Sequence, residues 1–201
     1  MFNTSSFRAA ALALALSLSA PLAHAADAEN FVKGKQGELT ELVRKAKTPA
    51  DEKRIQDAFD AVLDYDSLAR ESLKDSWDGL KPEERTEFQD VLKKLVRAAY
   101  RKSIKRIKDY DVNYGGESKV EAGQIVRTTA KSRTNAREEP VSIDYVVRES
   151  AGKWRIVDIV TEGSSMVGNY RNQFRRIIKK QGFSELIKKM KSKADKGGDL
   201  D

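Results

Sequence analysis

The chain has 201 residues, a formal net charge of +7, no cysteine and a single histidine. Lack of cysteine excludes a disulfide framework and a lipid-modified N-terminal cysteine, while the basic excess favours anionic surfaces as partners. The one histidine, His24, lies in a leader read below as removed, so the folded product can build neither a Ser-His-Asp nor a Cys-His arrangement and lacks the usual zinc ligands.

Arg8 supplies a positive charge, residues 9–20 form an apolar run with two serines, Pro21 breaks it, and Ala23-His24-Ala25 places small residues where a signal peptidase reads. Cleavage is expected after Ala25, with Ala26 as the alternative. Residues 1–25 are then a signal peptide and 26–201 a single domain, long enough to bury one sizeable core. The leader's only charged side chain is Arg8, so its removal takes the net charge from +7 to +6. Nothing later approaches the length of a membrane span. Export predicts a free periplasmic protein in a bacterial envelope, with full secretion left open by the signal alone. Lipid headgroups or acidic protein patches then fit as partners better than nucleic acid.

Residues 27–46 read as a first helix with Phe31, Leu39, Leu42 and Val43 on a partial apolar stripe, weakened by Gly34 and Gly37. Thr48-Pro49 starts a second, with Asp51 and Glu52 in its first turn and Ile55, Phe59, Val62 and Leu63 inward. A short helical piece runs from Tyr65 to Leu73. Pro82 opens a long helix reaching about Lys108; Phe88, Leu92, Leu95 and Ala99 step along a broad apolar face suited to lying on a sheet. Lys81, which precedes it, is a poor capping residue, so this helix start is expected to be loosely fixed.

From Tyr110 the period changes to that of strands. Val112 and Tyr114 alternate with polar residues up to Gly115-Gly116, residues 120–131 form a second strand, and residues 141–148 a third with Val141, Ile143, Tyr145 and Val147 on one face. Ser150-Ala151-Gly152 turns into a fourth that begins at Trp154. Strict alternation places Trp154, Ile156 and Asp158 on one face and Val157 and Ile159 on the other, a doubly apolar strand expected at the centre of the sheet. Gly163 ends it, Ser164 or Ser165 caps the next helix, and Met166, Val167, Tyr170 and Phe174 recur at helical spacing. A closing helix carries Phe183, Leu186, Ile187 and Met190. The order predicts an α+β fold: a twisted antiparallel four-stranded sheet covered by several helices.

Local chemistry is sparse. Asp57, Asp60 and Asp64 share a helical side and read as a solvated acidic face. Asp158 fits a structural salt bridge, a strand-end hydrogen bond, or a polar group near a ligand. The glycines match no nucleotide-binding pattern. The long helix carries Lys93, Lys94, Arg97, Arg101, Lys105 and Lys108 opposite its apolar face, a solvated surface or a docking site for anionic lipid or an acidic partner. Arg171, Arg175 and Arg176 form a second basic cluster.

Three segments carry a more specific signal: YDSLARESLKDSWDGLKPEERTEFQDVLKKLV from Tyr65, YDVNYGGE from Tyr110 and WRIVDIVTEGSSMVGNYRNQFRRII from Trp154. In order and spacing they resemble the MlaC, or toluene-tolerance, family of periplasmic lipid carriers across nearly all of the mature chain. The resemblance implies helices and sheet around an apolar cavity for phospholipid acyl chains, no cofactor and no catalysis. It also implies a monomer that shuttles lipid between an outer-membrane MlaA-like lipoprotein and porin complex and the MCE-domain protein of an inner-membrane ABC transporter. Related members linked to hopanoid transport keep other lipids in play.

Alternation combined with this resemblance nominates lipid-binding walls at Val112, Tyr114, Val126, Ile143, Tyr145, Val147, Trp154 and Ile156. Met166, Val167 and Tyr170 would stand near the helix entrance, and Arg171 and Arg175 at the mouth. A noncatalytic envelope adaptor predicts a filled core instead, and a carboxylate hydrolase predicts a polar cleft where Asp158 meets another acid.

Overall fold

The computed structural model describes residues 27–197. The expected signal peptide, its cleavage point and the last four residues of the tail lie outside them. Six helices, α1 (Asp27–Lys45), α2 (Pro49–Val62), α3 (Tyr65–Leu73), α4 (Pro82–Arg106), α5 (Met166–Gln181) and α6 (Phe183–Lys196), surround one antiparallel sheet. Its strands, β1 (Tyr110–Val120), β2 (Gly123–Ser132), β3 (Val141–Ser150), β4 (Lys153–Thr161) and β5 (Ser164–Ser165), lie in chain order. The four long strands are the expected meander, and the two-residue β5 extends it.

Local chemistry explains most boundaries. Thr48 caps α2: its hydroxyl accepts from the Asp51 amide at 3.2 Å, and the Asp51 carboxylate accepts from the Thr48 amide at 3.0 Å. At α4 the side chain of Lys81 does not cap. Instead the Glu84 carboxylate accepts from the Lys81 amide at 2.9 Å, and the Arg85 guanidinium donates to the Trp77 and Asp78 carbonyls at 3.2 and 3.0 Å. The start expected to be loose is therefore tied down from the helix side. Ala151 and Gly152 join β3 to β4 with φ of 50° and 71°, the two left-handed residues of a tight hairpin turn.

Two departures from simple alternation matter. Gly115-Gly116 does not end β1; the pairing moves from Tyr114 opposite Thr128 to Glu117 opposite Val126, with Gly116 at φ 87°, so the glycines form a bulge within one continuous strand. In β4, Val147 pairs with Ile156 and Val146 with Asp158, leaving Val157 as an extra residue. Nor is β4 central: beyond β3 its other edge meets only β5 and an isolated parallel bridge to Leu63, and helices α2, α3 and α5 cover it. Coverage by helices, rather than strands on both sides, is why it is apolar on two faces.

The core has two regimes. At one end α4 packs along α6, not along the sheet as its broad face suggested, with α3 and α5 completing a solid lobe. Phe88, Leu92, Leu95, Phe174, Leu186 and Met190 are completely shielded there. Phe88 meets Phe174 edge-on at 5.6 Å between ring centres. At the other end α1, α2 and the last turns of α4 stand off from the sheet.

Candidate functional site: an apolar cavity

The standing-off helices and the sheet enclose a cavity of about 320 Å³, a size typical of small-molecule sites. Val32 and Leu39 enter from α1, Ala58, Phe59 and Val62 from α2, and Tyr100 and Ile104 from α4. The sheet contributes Tyr110 and Val112 from β1, Thr128 and Ala130 from β2, Val141, Ile143 and Tyr145 from β3, and Ile156, Ile159 and Thr161 from β4. The first three strands present residues two apart, as alternation requires. On β4 the step from Ile156 to Ile159 is three, because the Val157 bulge restores both isoleucines to the same face. The expectation that Ile156 and Ile159 face opposite ways is corrected by that extra residue.

Polar side chains around this lining are mostly engaged. Thr128 donates its hydroxyl to the Ile143 carbonyl. Tyr114 donates to Gln36 at 2.6 Å, and Glu117 accepts from the Glu29 amide at 2.7 Å, so two bonds hold α1 over β1. Burial, followed by the negative charge of Glu29, pushes the Tyr114 phenol up to about 12. Burial likewise raises Tyr145, so both phenols stay neutral at physiological pH. Lys35 and Arg106 also line the cavity; Lys35 pairs with Glu38 at 2.8 Å. Arg106 donates to the Tyr110 hydroxyl, which in turn donates to Glu138 at 2.6 Å.

Of the residues nominated from sequence, Val112, Ile143, Tyr145 and Ile156 come together on the sheet wall. Tyr114 and Trp154 are half-buried outside it. Val126 and Val147 are fully buried in the closed core. Met166, Val167 and Tyr170 are buried away from the cavity, because α5 packs on α3 and α6 in the solid lobe; the Tyr170 ring stacks on Phe174 at 5.3 Å. Arg171 is not at a mouth but ties α5 to α3, donating to the Glu71 carbonyl at 2.7 Å and its carboxylate at 3.0 Å. Arg175 is exposed on the same helix. Sequence reasoning missed the opposite wall. The stripes of Leu39, Phe59, Val62, Tyr100, Ile104 and Ile107 were visible as apolar faces, but nothing in their spacing says that they line a void.

The acids serve the scaffold. Asp158 accepts from Ser165 at 2.5 Å and from the Val167 amide at 3.1 Å, placing a negative charge at the start of α5. Ser165 in turn accepts from the Gly168 amide at 2.8 Å. Of Asp57, Asp60 and Asp64, only Asp57 belongs to a solvated face. Asp60 is a half-buried hub: it accepts from Arg97 Nε at 2.9 Å and Tyr65 at 2.8 Å and lies 3.5 Å from Lys93. Burial alone would raise its carboxyl, but the Arg97 and Tyr65 hydrogen bonds and the two cations outweigh it and hold the group below its usual range. Asp64 caps α3 by accepting from the Ser67 amide at 2.9 Å. Among the described residues no group of histidine, cysteine, aspartate and glutamate could hold a metal ion, and no helix is long and apolar enough to cross a membrane.

The fold has a close structural counterpart. A phospholipid-binding protein from Ralstonia solanacearum, solved in complex with a phospholipid, superposes with a TM-score of 0.75 at 21% sequence identity, covering 86% of this chain and 99% of that one. No curated protein matches the sequence. The family model described as MlaC protein matches residues 37–192, a span that includes four of the six helices at full length, parts of the other two, and every strand. With that span accounted for, the chain belongs to the MlaC family.

Proposed function

We propose that the protein is a periplasmic lipid carrier that shields acyl chains within the cavity and moves phospholipid between membrane complexes. The observation that supports this reading is a hollow of about 320 Å³ walled by isoleucine, valine, phenylalanine and tyrosine inside an otherwise well-filled fold. A noncatalytic adaptor has no use for such a void. The phospholipid in the Ralstonia solanacearum complex supports the same class of cargo here. Val112, Ile143, Tyr145 and Ile156, with Val32, Phe59 and Ile159 opposite or beside them, would contact hydrocarbon, and Lys35 and Arg106 would meet an anionic headgroup.

The energetics suit passive transfer. Each buried CH₂ contributes about 0.8 kcal/mol relative to water, and a lipid in a bilayer already has that burial. Exchange into an apolar pocket is thus close to isoenergetic, and the carrier removes the aqueous barrier. Direction must come from partners, for which an outer-membrane MlaA-like lipoprotein with a porin and an inner-membrane MCE-domain transporter component are the proposed pair. Mass analysis of lipid extracted from protein made in its native envelope tests carriage and identifies the cargo. Protein that holds its fold but yields no amphiphile would refute it, and a hopanoid in place of phospholipid would reassign the substrate.

A further inference from the structure

The ion pairs of this molecule are distributed unevenly. Arg97 pairs with Asp60, Lys105 with Glu52, Arg148 with Asp64, Arg171 with Glu71 and Lys191 with Glu87. Exposed cations without a partner among the described residues occur elsewhere, Lys94 and Arg101 on α4 among them, but the outer face of α5 gathers four side by side. Arg175, Arg176, Lys179 and Lys180 are all exposed, and among the described residues none has a hydrogen-bond or ion-pair partner. They stand three and four residues apart, so each is a direct neighbour of another on one helical face. The helix itself, MVGNYRNQFRRIIKKQ, contains no acidic residue.

We infer that this face of α5 is a docking surface for an anionic lipid membrane. A helix C-terminus favours cations, which accounts for Lys179 and Lys180 in the last turn, but Arg175 and Arg176 lie too far back for that. Like charges at these spacings oppose helix formation, so folding alone gives no reason for the cluster. Headgroup capture does not explain it either: α5 contributes nothing to the cavity.

The composition of the face selects the partner. It is single-signed, and its neighbouring apolar residues, Ile177 and Ile178, turn inward against the core. No aromatic side chain stands out as an anchor. Protein interfaces enrich aromatics and deplete lysine at their centres, whereas a charged bilayer offers a diffuse sheet of negative charge that needs only cations of one sign. Nothing on the face inserts into hydrocarbon, so contact would be reversible and strongly weakened by salt.

The experiment is co-sedimentation of the mature protein with vesicles of phosphatidylglycerol and phosphatidylethanolamine, compared with purely zwitterionic vesicles. Two variants carry the same charge loss at different places: R175Q/R176Q/K179Q/K180Q on α5, and K45Q/K47Q/K53Q/R54Q on the exposed ends of α1 and α2. Circular dichroism checks that both are folded. The α5 variant is expected to bind anionic vesicles about six-hundredfold more weakly, four cations each contributing about a factor of five, while the control loses little. Raising ionic strength from about 0.01 M to about 0.15 M, which shortens the screening length from about 30 Å to about 8 Å, should release the wild type. Equal losses in the two variants would reduce the effect to net charge and overturn the assignment. So would an α5 variant that still binds, or a wild type that ignores anionic vesicles and is held only by an acidic protein. None of these outcomes depends on whether the cavity carries lipid.

Discussion

Ile143 lies on the cavity wall near the start of β3, half-buried, with the void in front of it. Ile143→Trp enlarges the side chain by about six heavy atoms. If each displaces one methylene of cargo, the bound lipid loses about 5 kcal/mol of burial at about 0.8 kcal/mol per CH₂. That corresponds to a fall of more than three powers of ten in affinity. The fold should tolerate the change, since the new atoms enter empty space. Val147, on the same strand, is the control because its exposure is 0%. Val147→Phe pushes atoms into a filled region and should lower the unfolding free energy by about 1–3 kcal/mol. Lipid per mole of protein, measured by mass analysis, and urea unfolding read the two effects separately. An Ile143→Trp protein that keeps wild-type lipid content would refute the assignment of this wall, as would equal loss of stability in both variants.

The scaffold offers sharper tests. A Cβ added at Gly123 would collide with the Val147 carbonyl oxygen, and φ is 145° there, so Gly123→Ala should destabilise by at least about 2 kcal/mol in urea titration. Ala151→Asn at the β3 to β4 turn replaces a residue strained at φ 50° by one that tolerates it, and thermal unfolding should show a gain of about 0.5–1 kcal/mol. Asp60→Asn removes the charge that joins α2 to Arg97 and Lys93, for an expected loss of about 1–2 kcal/mol at neutral pH. The native Asp60 carboxyl is held low, so in the window between its folded and unfolded values the unfolded chain binds more protons. Its contribution is thus present above about pH 4 and is lost on acidification through the folded value; unfolding curves of wild type and Asp60→Asn should converge there.

The meander was legible because stretches of β1, β2 and β3 alternate and two turns announce themselves in Ala151-Gly152 and Gly163, whereas Gly115-Gly116, read as the end of a strand, is a bulge inside β1. The helices were legible from proline, capping residues and apolar spacing. The cavity was only half legible. Val112, Ile143, Tyr145 and Ile156 were found because alternation predicts a face, but the same rule nominated Val126 and Val147, which lie on that face where the core is filled. Alternation failed at β4, where one bulged valine reverses every residue after it. It also could not say which of two apolar helix groups leaves a gap. Met166, Val167 and Tyr170 pack solidly, while Phe59 and Tyr100, with rings 6.1 Å apart, border a hollow. That difference lies in how elements dock, a long-range outcome that local periodicity does not encode.

Helix α4 crosses both regimes, and the two halves of it are fastened by opposite kinds of force. Its leading turns are gripped by hydrocarbon through Phe88, Leu92 and Leu95, whereas its trailing turns rely on Arg97 to Asp60, Lys105 to Glu52 and Arg106 to Glu138. Ionic strength acts on these grips in contrary directions, screening the charged clasps and, with strongly hydrated salts, tightening the greasy ones. The medium thus becomes a dial that loosens the roof of the chamber while leaving its foundation in place.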